Sequence, residues 1–275
     1  MRSPSRRIII EAGRPERDYF ADLWRYRELF LFLSWRDIVV RYKQTAIGLA
    51  WSILRPLLVL VVFTVLFGKL VKLPSEGLPY PILVLAALLP WQFFANALTE
   101  GGGSLVANAN LLTKIYFPRI IIPVSSTIAN LIDLLIASLL LGVLMLWYGI
   151  FPGWRLVAIP FFLLLAFLAS VGFGIWLAAL NVKYRDVRYV VPFIAQFGLY
   201  ISPVGFSSDI IPPAWRALYS LNPMVGVIDG FRWAVGGHDG LYLPSIFLSL
   251  MTGALVFLSG IRYFRKTERS LADII

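Results

Sequence analysis

The stretch LVAIPFFLLLAFLASVGFGIWLAAL, residues 156–180, holds 25 residues without one ionisable side chain. As a helix rising about 1.5 Å per residue it reaches about 38 Å, enough to cross a hydrocarbon layer of about 30 Å. Five more runs share its character: 46–68, 80–99, 120–147, 189–206 and 241–261. Within all six, only Arg55 and Asp133 carry a firm charge. One such run could be the core helix of a soluble protein. Six in 275 residues leave too little polar chain to cover them. The expected fold class is an all-α polytopic membrane protein with six transmembrane helices.

Composition agrees. Hydrophobic residues make up 59% of the chain and charged residues 15%, against about 25% charged in soluble domains. No stretch between the runs is long enough for a second globular domain. Two regions result: 1–45, a cytoplasmic tail with an interface helix, and 46–275, a six-span transmembrane domain. The net charge of +10 is explained by its placement rather than by nucleic acid. Segments 1–45, 100–119, 181–188 and 262–275 hold nineteen of the 25 Lys and Arg; the alternate loops 69–79, 148–155 and 207–240 hold five. By the positive-inside rule both termini are cytoplasmic. The absence of cysteine excludes disulfides, cysteine-ligated zinc and thiol catalysis. The Arg-rich start has no apolar core or cleavage site, so no signal peptide is expected.

Residues 1–17 read as a loose basic arm. From Asp18 onward Leu23, Tyr26, Phe30 and Leu33 recur at helical spacing among Arg25, Arg27 and Glu28, the pattern of an amphipathic helix lying on a membrane surface. Arg55 inside the first run should face protein or water, since a central arginine costs about 2.5–3.5 kcal/mol on insertion scales; Pro56 beside it predicts a kink. Gly101-Gly102-Gly103 predicts a helix stop, with Ser104 capping a short new helix to about Thr113. Leu105, Val106, Leu111 and Leu112 make this loop, 104–117, too apolar for free solvent, and it reads as a docking helix for a cytoplasmic partner. In the third run Ser126, Asn130 and Asp133 form one polar face directed into the bundle. Asp133 needs a partner, and Arg55 is the oppositely charged group within the other runs. Ser170, Gly174 and Ala178 permit close helix packing. Between the fifth and sixth runs, Pro212-Pro213 and Asn222-Pro223 each start a helix too short to cross, predicting a pair of re-entrant or interfacial helices within 207–240.

The chain contains no G-x-x-x-x-G-K-[ST] phosphate loop and no catalytic or metal-ligating constellation; His238 stands alone. Its distinctive resource is aromatic residues, 15% of the chain. Phe193, Phe197 and Tyr200, with Gln196, lie on one face of the fifth run; Trp91 and Phe94 share a face of the second; Trp51 sits early in the first. Such rings can stack on the C–H faces of sugars while amides bond the rim, or they can pack between helices and at the lipid boundary. Both readings stand on the residues alone.

Several motifs resemble, in order across about 40–235, the permeases of the type-two ABC transporters that export O-antigen, teichoic acid or capsular polysaccharide. They are Arg41-Tyr42-Lys43-Gln44-Thr45 with Gly48, Trp51 and Pro56; Pro90-Trp91 with Phe93-Phe94; Ser104-Leu105, Asn108, Lys114 and Phe117-Pro118-Arg119; Asn181-Val182 with Arg185-Asp186-Val187; and Ser202-Pro203-Val204 with Asn222-Pro223. Phe206 stands where a tyrosine is common in that family. The resemblance implies a homodimer of six-span subunits in the bacterial cytoplasmic (inner) membrane, with two separate ATP-binding subunits beneath. It implies that the amphipathic helix and the 104–117 loop dock onto those ATPases, with Ser104, Leu105, Asn108, Leu112, Lys114 and Arg119 as the coupling residues, and that 207–240 forms two short outer gate helices. It implies that Trp51, Trp91, Phe94, Phe193, Gln196, Phe197 and Tyr200 line a channel for lipid-linked polysaccharide, with Arg55, Asn130 and Asp133 as intramembrane polar groups. No cofactor is then bound by this chain; ATP and Mg belong to the partner. The alternatives are an exporter of a small lipid or drug, an ion-coupled secondary transporter, for which Asp133 is a lone carboxylate, and a non-transporting assembly factor.

Overall fold

The computed structural model describes residues 19–43, 49–75, 77–151, 153–236 and 240–274, and every regular element among them is helical. The α-helices in chain order are α1 (Tyr19–Arg25), α2 (Arg27–Lys43), α3 (Leu49–Phe63), α4 (Tyr80–Ala107), α5 (Ala109–Leu112), α6 (Ile121–Trp147), α7 (Ile159–Lys183), α8 (Val187–Ile201), α9 (Pro213–Tyr219), α10 (Pro223–Gly236) and α11 (Leu243–Ile274). Helix α3 widens into a π-helical segment over Thr64–Leu70. The basic arm expected before Asp18, Gln44-Thr45, Gly48, His238 and Asp239 lie outside the described residues.

Among the described residues five helices are long and apolar enough to cross a membrane: Ala50–Leu70, Tyr80–Ala107, Ile121–Trp147, Trp154–Lys183 and Leu243–Glu268. The sixth expected run, 189–206, is not one of them. Its helix, α8, has 15 residues and reaches about 22 Å. It stops because Pro203 disfavours helical backbone at the residue before it; Ser202 is extended, with ψ 155°. The chain then bends through Ser202–Phe206, and Arg232 of α10 fixes the bend. Its guanidinium donates to the carbonyls of Val204 (2.9 Å), Phe206 (2.8 Å) and Leu83 (3.1 Å).

Helix α4 is the hub, packing on α6, α7, α8 and α10. The predicted stop at Gly101-Gly102-Gly103 is wrong, because α4 runs through all three glycines to Ala107. Here glycine serves approach. A Cβ on Gly101 would lie 3.3 Å from the Gly174 Cα of α7, and one on Gly102 would lie 3.2 Å from Leu177 Cβ. Asn181, buried at the end of α7, donates to the Gly102 carbonyl at 3.0 Å. Ser104 consequently caps no new helix; its hydroxyl donates back to Gly101 O at 2.6 Å. Ser170, Gly174 and Ala178 are buried on α7, and α7 meets α11 just as tightly: a Cβ on Gly172 would fall 2.8 Å from the Phe257 backbone.

The stripe Leu23, Tyr26, Phe30 and Leu33 of α1 and α2 turns toward the protein. It packs with Leu105, Phe117, Ile121 and Phe264, while Trp24, Leu31, Phe32 and Trp35 face outward. The apolar side read from the spacing is therefore the inner one, and a second apolar side lies outside it.

Gly172→Ala is expected to lower the thermal unfolding midpoint, because added methylene volume against fixed backbone costs about 1–3 kcal/mol. Gly142→Ala, with nothing within 4 Å of the added carbon, should leave the midpoint unchanged or raise it. Equal midpoints for the two variants in detergent would contradict the α7–α11 contact.

Candidate functional site

The polar residues of the bundle converge where α2, α3, α4 and α6 meet. Asp133 does not pair with Arg55. Its carboxylate accepts from the Arg41 guanidinium, the Tyr42 hydroxyl and the Ser52 hydroxyl, the last at 2.7 Å. Arg41 also pairs with Glu100 and donates to Asn130 Oδ1 at 3.0 Å, while Asn130 Nδ2 donates to Glu100 Oε2 at 2.9 Å. One guanidinium thus bridges two carboxylates and an amide from two helices. Burial alone would lower the Arg41 pKa, but Glu100 and Asp133 outweigh it and hold it above its ordinary value. Burial first, then the bond to Asp133, pushes the Tyr42 hydroxyl up to about 12, so it is a neutral donor throughout the physiological range.

These groups line a cleft of about 280 Å³. Trp51, Arg55, Gln92 and Asn96 also line it, together with the apolar Leu89, Phe93, Leu134 and Ala137. The expected intramembrane trio Arg55, Asn130 and Asp133 does share this cleft. Glu100, Arg41, Tyr42 and Ser52 were missed as its partners. A signal existed: Gln92, Asn96 and Glu100 recur every fourth residue on α4, a polar face as regular as the one on α6.

The aromatic residues divide into two groups. The Phe193 and Phe197 rings are tilted against each other with centroids 4.2 Å apart, and Tyr200 lies near-parallel to Phe63 at 6.3 Å; all three α8 rings and Gln196 are exposed, as is Trp51. Trp91 and Phe94 are instead interior, 5% and 8% exposed. Trp91 fills the space beside Gly198, where a Cβ would lie 2.6 Å from the indole, and Phe94 meets Phe173 edge-on at 5.7 Å. The structure does not bring these two onto the exposed α8 face.

The 104–117 loop is smaller than expected, because Ser104 and Leu105 belong to α4 and are buried. Its remaining part is clamped at both ends. Arg36 of α2 donates to Asn108 Oδ1 at 2.9 Å. At the far end Glu268 of α11 accepts from the Arg119 backbone N–H at 2.9 Å and from Tyr19, while Arg119 Nη1 donates to the Glu268 carbonyl at 3.1 Å. Between the clamps Leu112 is half-buried, and Lys114, Ile115 and Tyr116 project outward. Among the described residues no group of His, Cys, Asp and Glu is arranged to hold a metal ion.

A double-mutant cycle separates the observed pairing from the expected one. Arg41→Leu and Asp133→Leu should couple by about 1–3 kcal/mol, whereas Arg55→Leu and Asp133→Leu should add to within about 0.5 kcal/mol. Unfolding in mixed micelles reads both; stronger coupling to Arg55 would overturn the assignment.

Residues 28–235 match the family described as ABC-2 type transporter. The chain is 28% identical, over 77% of its length and 81% of the relative, to the O-antigen export system permease protein RfbA of Myxococcus xanthus. It is 26% identical to a protein of the same name from Klebsiella pneumoniae, over 90% of this chain and 95% of that one. It is 25% identical to the polysialic acid transport protein KpsM of Escherichia coli, over 88% and 93% respectively. A match over three quarters of the chain, on an all-helical bundle with five helices of membrane-crossing length, places this protein in the ABC-2 type transporter family.

Proposed function

We propose that the chain is the membrane-spanning permease of an ATP-driven exporter that moves lipid-linked, O-antigen-like polysaccharide across the bacterial cytoplasmic membrane. The observation that carries this is the near full-length similarity to relatives named for O-antigen export and polysialic acid transport. The sequence contains no phosphate-loop motif, so the nucleotide chemistry is assigned to two separate ATP-binding subunits, with ATP and Mg held there.

In this reading both termini are cytoplasmic, and α8 with the Ser202–Phe206 bend makes a fifth crossing, giving six. Helices α1 and α2 lie at the cytoplasmic surface, their outer side of Trp24, Leu31, Phe32 and Trp35 against lipid. Helices α9 and α10, of 7 and 14 residues, are the short re-entrant or interfacial pair at the outer face. Two copies enclose a conduit along α8, where Phe193, Gln196, Phe197 and Tyr200, with Trp51, offer a row of rings and an amide to passing sugars. Trp91 and Phe94 support that wall from behind. The exposed tip from Lys114 to Tyr116 meets the ATPase. Its clamps, Arg36 on Asn108 and Glu268 on Arg119, join the tip to α2, α6 and α11, so that a push there moves helices rather than a slack loop.

In the native cell, removal of this chain is expected to leave completed polymer on the cytoplasmic side, and the wild-type chain should restore export. The triple variant Phe193→Ala, Phe197→Ala, Tyr200→Ala should still co-purify with the ATPase but export several-fold less, each lost ring contact being worth about 0.5–1.5 kcal/mol. Undiminished export by the triple variant would contradict the conduit; normal surface polymer without the chain would contradict the function.

A further inference from the structure

A second cavity, of about 160 Å³, lies at the end of the bundle where α4 and α11 begin. Its wall is made by Ser207, Ser208 and Asp209 beyond the α8 bend, by Asp229, Arg232 and Trp233 of α10, and by Tyr242 just before α11. It shares no residue with the Arg41 cleft. In the orientation proposed above, this end faces away from the cytoplasm.

Charge in the wall is balanced. The Asp209 carboxylate pairs with Arg216. Asp229 accepts from the Ser208 hydroxyl at 2.7 Å and stands within one turn of Arg232 on α10. Two carboxylates are thus matched by two guanidiniums, and Arg232 donates to the backbone carbonyls of Val204, Phe206 and Leu83. A small ion finds little net charge here to pair with.

The groups left for a ligand are uncharged or already neutralised, and two of them are aromatic. The Tyr242 hydroxyl and the Trp233 indole N–H have no hydrogen-bond partner among the described residues. Asp209 is exposed and takes Arg216 through Oδ1, which leaves Oδ2 to accept. Both rings are braced from outside the cavity wall. Trp233 meets Trp154 edge-on at 6.1 Å and Arg155 at 5.2 Å, and Tyr242 lies under Arg216 at 5.5 Å. Aromatic faces beside a hydroxyl, an N–H and a carboxylate suit a sugar, whose ring presents apolar C–H faces and a polar rim. The volume equals about five waters at about 30 Å³ each, the scale of one sugar ring rather than of a lipid tail or a peptide helix.

We propose that this cavity binds one neutral sugar ring of the exported glycan, with Trp233 and Tyr242 as the ring contacts and the Tyr242 hydroxyl and Asp209 as the polar contacts. This rests on the reading of the chain as a glycan exporter, and it adds a binding site apart from the row of rings on α8.

The test is saturation-transfer NMR on the full chain with its ATPase. The chain carries the Phe193→Ala, Phe197→Ala, Tyr200→Ala background, so that the α8 row does not contribute. The probe is a tetrasaccharide cut from the native cell's own surface polymer; glycerol, which has hydroxyls but no ring face, is the control. Saturation should reach the ring C–H protons of the tetrasaccharide and not glycerol. Tyr242→Phe, which removes only a hydroxyl, should weaken binding about threefold to tenfold. Trp233→Ala should weaken it about tenfold, and Trp233→Phe should recover part of that loss. Absence of tetrasaccharide binding overturns the proposal, as does equal transfer to glycerol or equal binding by Tyr242→Phe, Trp233→Ala and their parent. Surface polymer made by cells with the wild-type chain is measured alongside. Export with binding that ignores the variants removes this site and leaves the proposed function standing; normal surface polymer without the chain removes the proposed function and this site with it.

Discussion

In hydrocarbon a polar group must be satisfied from within the protein, and the Arg41 cluster is where that constraint acts hardest on this chain. A guanidinium from α2 closes two carboxylates, one from α4 and one from α6, while hydroxyls from Tyr42 and Ser52 complete Asp133. Four helices are held by one set of charge-assisted bonds. Their positions set the cleft, the entry of α3 into the bundle and the seat of α2. Loss of one partner would strand a charge in surroundings where water screens it poorly.

Close approach of backbones supplies the rest of the cohesion. Lipid tails are as apolar as leucine, so helix association relies on contact rather than on expulsion of water. The Gly101 and Gly174 pair between α4 and α7, and Gly172 against α11, let three long helices touch along their lengths. On this frame sit two clamped extremities. The Arg232 guanidinium holds the bend after α8. Glu268 binds α11 to the base of the 108–119 loop and to Tyr19. An arrangement rigid in the middle and tied at both ends suits a subunit that receives force on one face and opens a path at the other.

The long apolar runs were legible because hydrocarbon imposes one polarity over about 20 residues, and five of the six became helices of that length. The end of α8 was also legible in principle, since Pro203 excludes helix at Ser202. Other features were not. Arg41 and Glu100 lie just outside the apolar runs, so a search inside them paired Asp133 with Arg55; long side chains reached in from the boundary instead. The glycine triplet reads locally as a break, and only the facing Gly174 and Leu177 show it to be a contact surface. Spacing placed Trp91 and Phe94 on one face but could not tell that α8 and α7 cover it. The α8 stripe differed in staying exposed, with Tyr200 beside Phe63.

The central claim is that this polypeptide is a lipid-embedded conduit driven by a separate nucleotide-hydrolysing subunit. Purified chain and its ATPase partner, reconstituted together in vesicles with lipid-linked polymer, test it most directly through the amount of polymer carried across the bilayer. Transport that requires both proteins and stops when ATP is replaced by a non-hydrolysable analogue is the predicted result. Sustained vectorial transport by the chain alone, with no nucleotide hydrolysed, would contradict it.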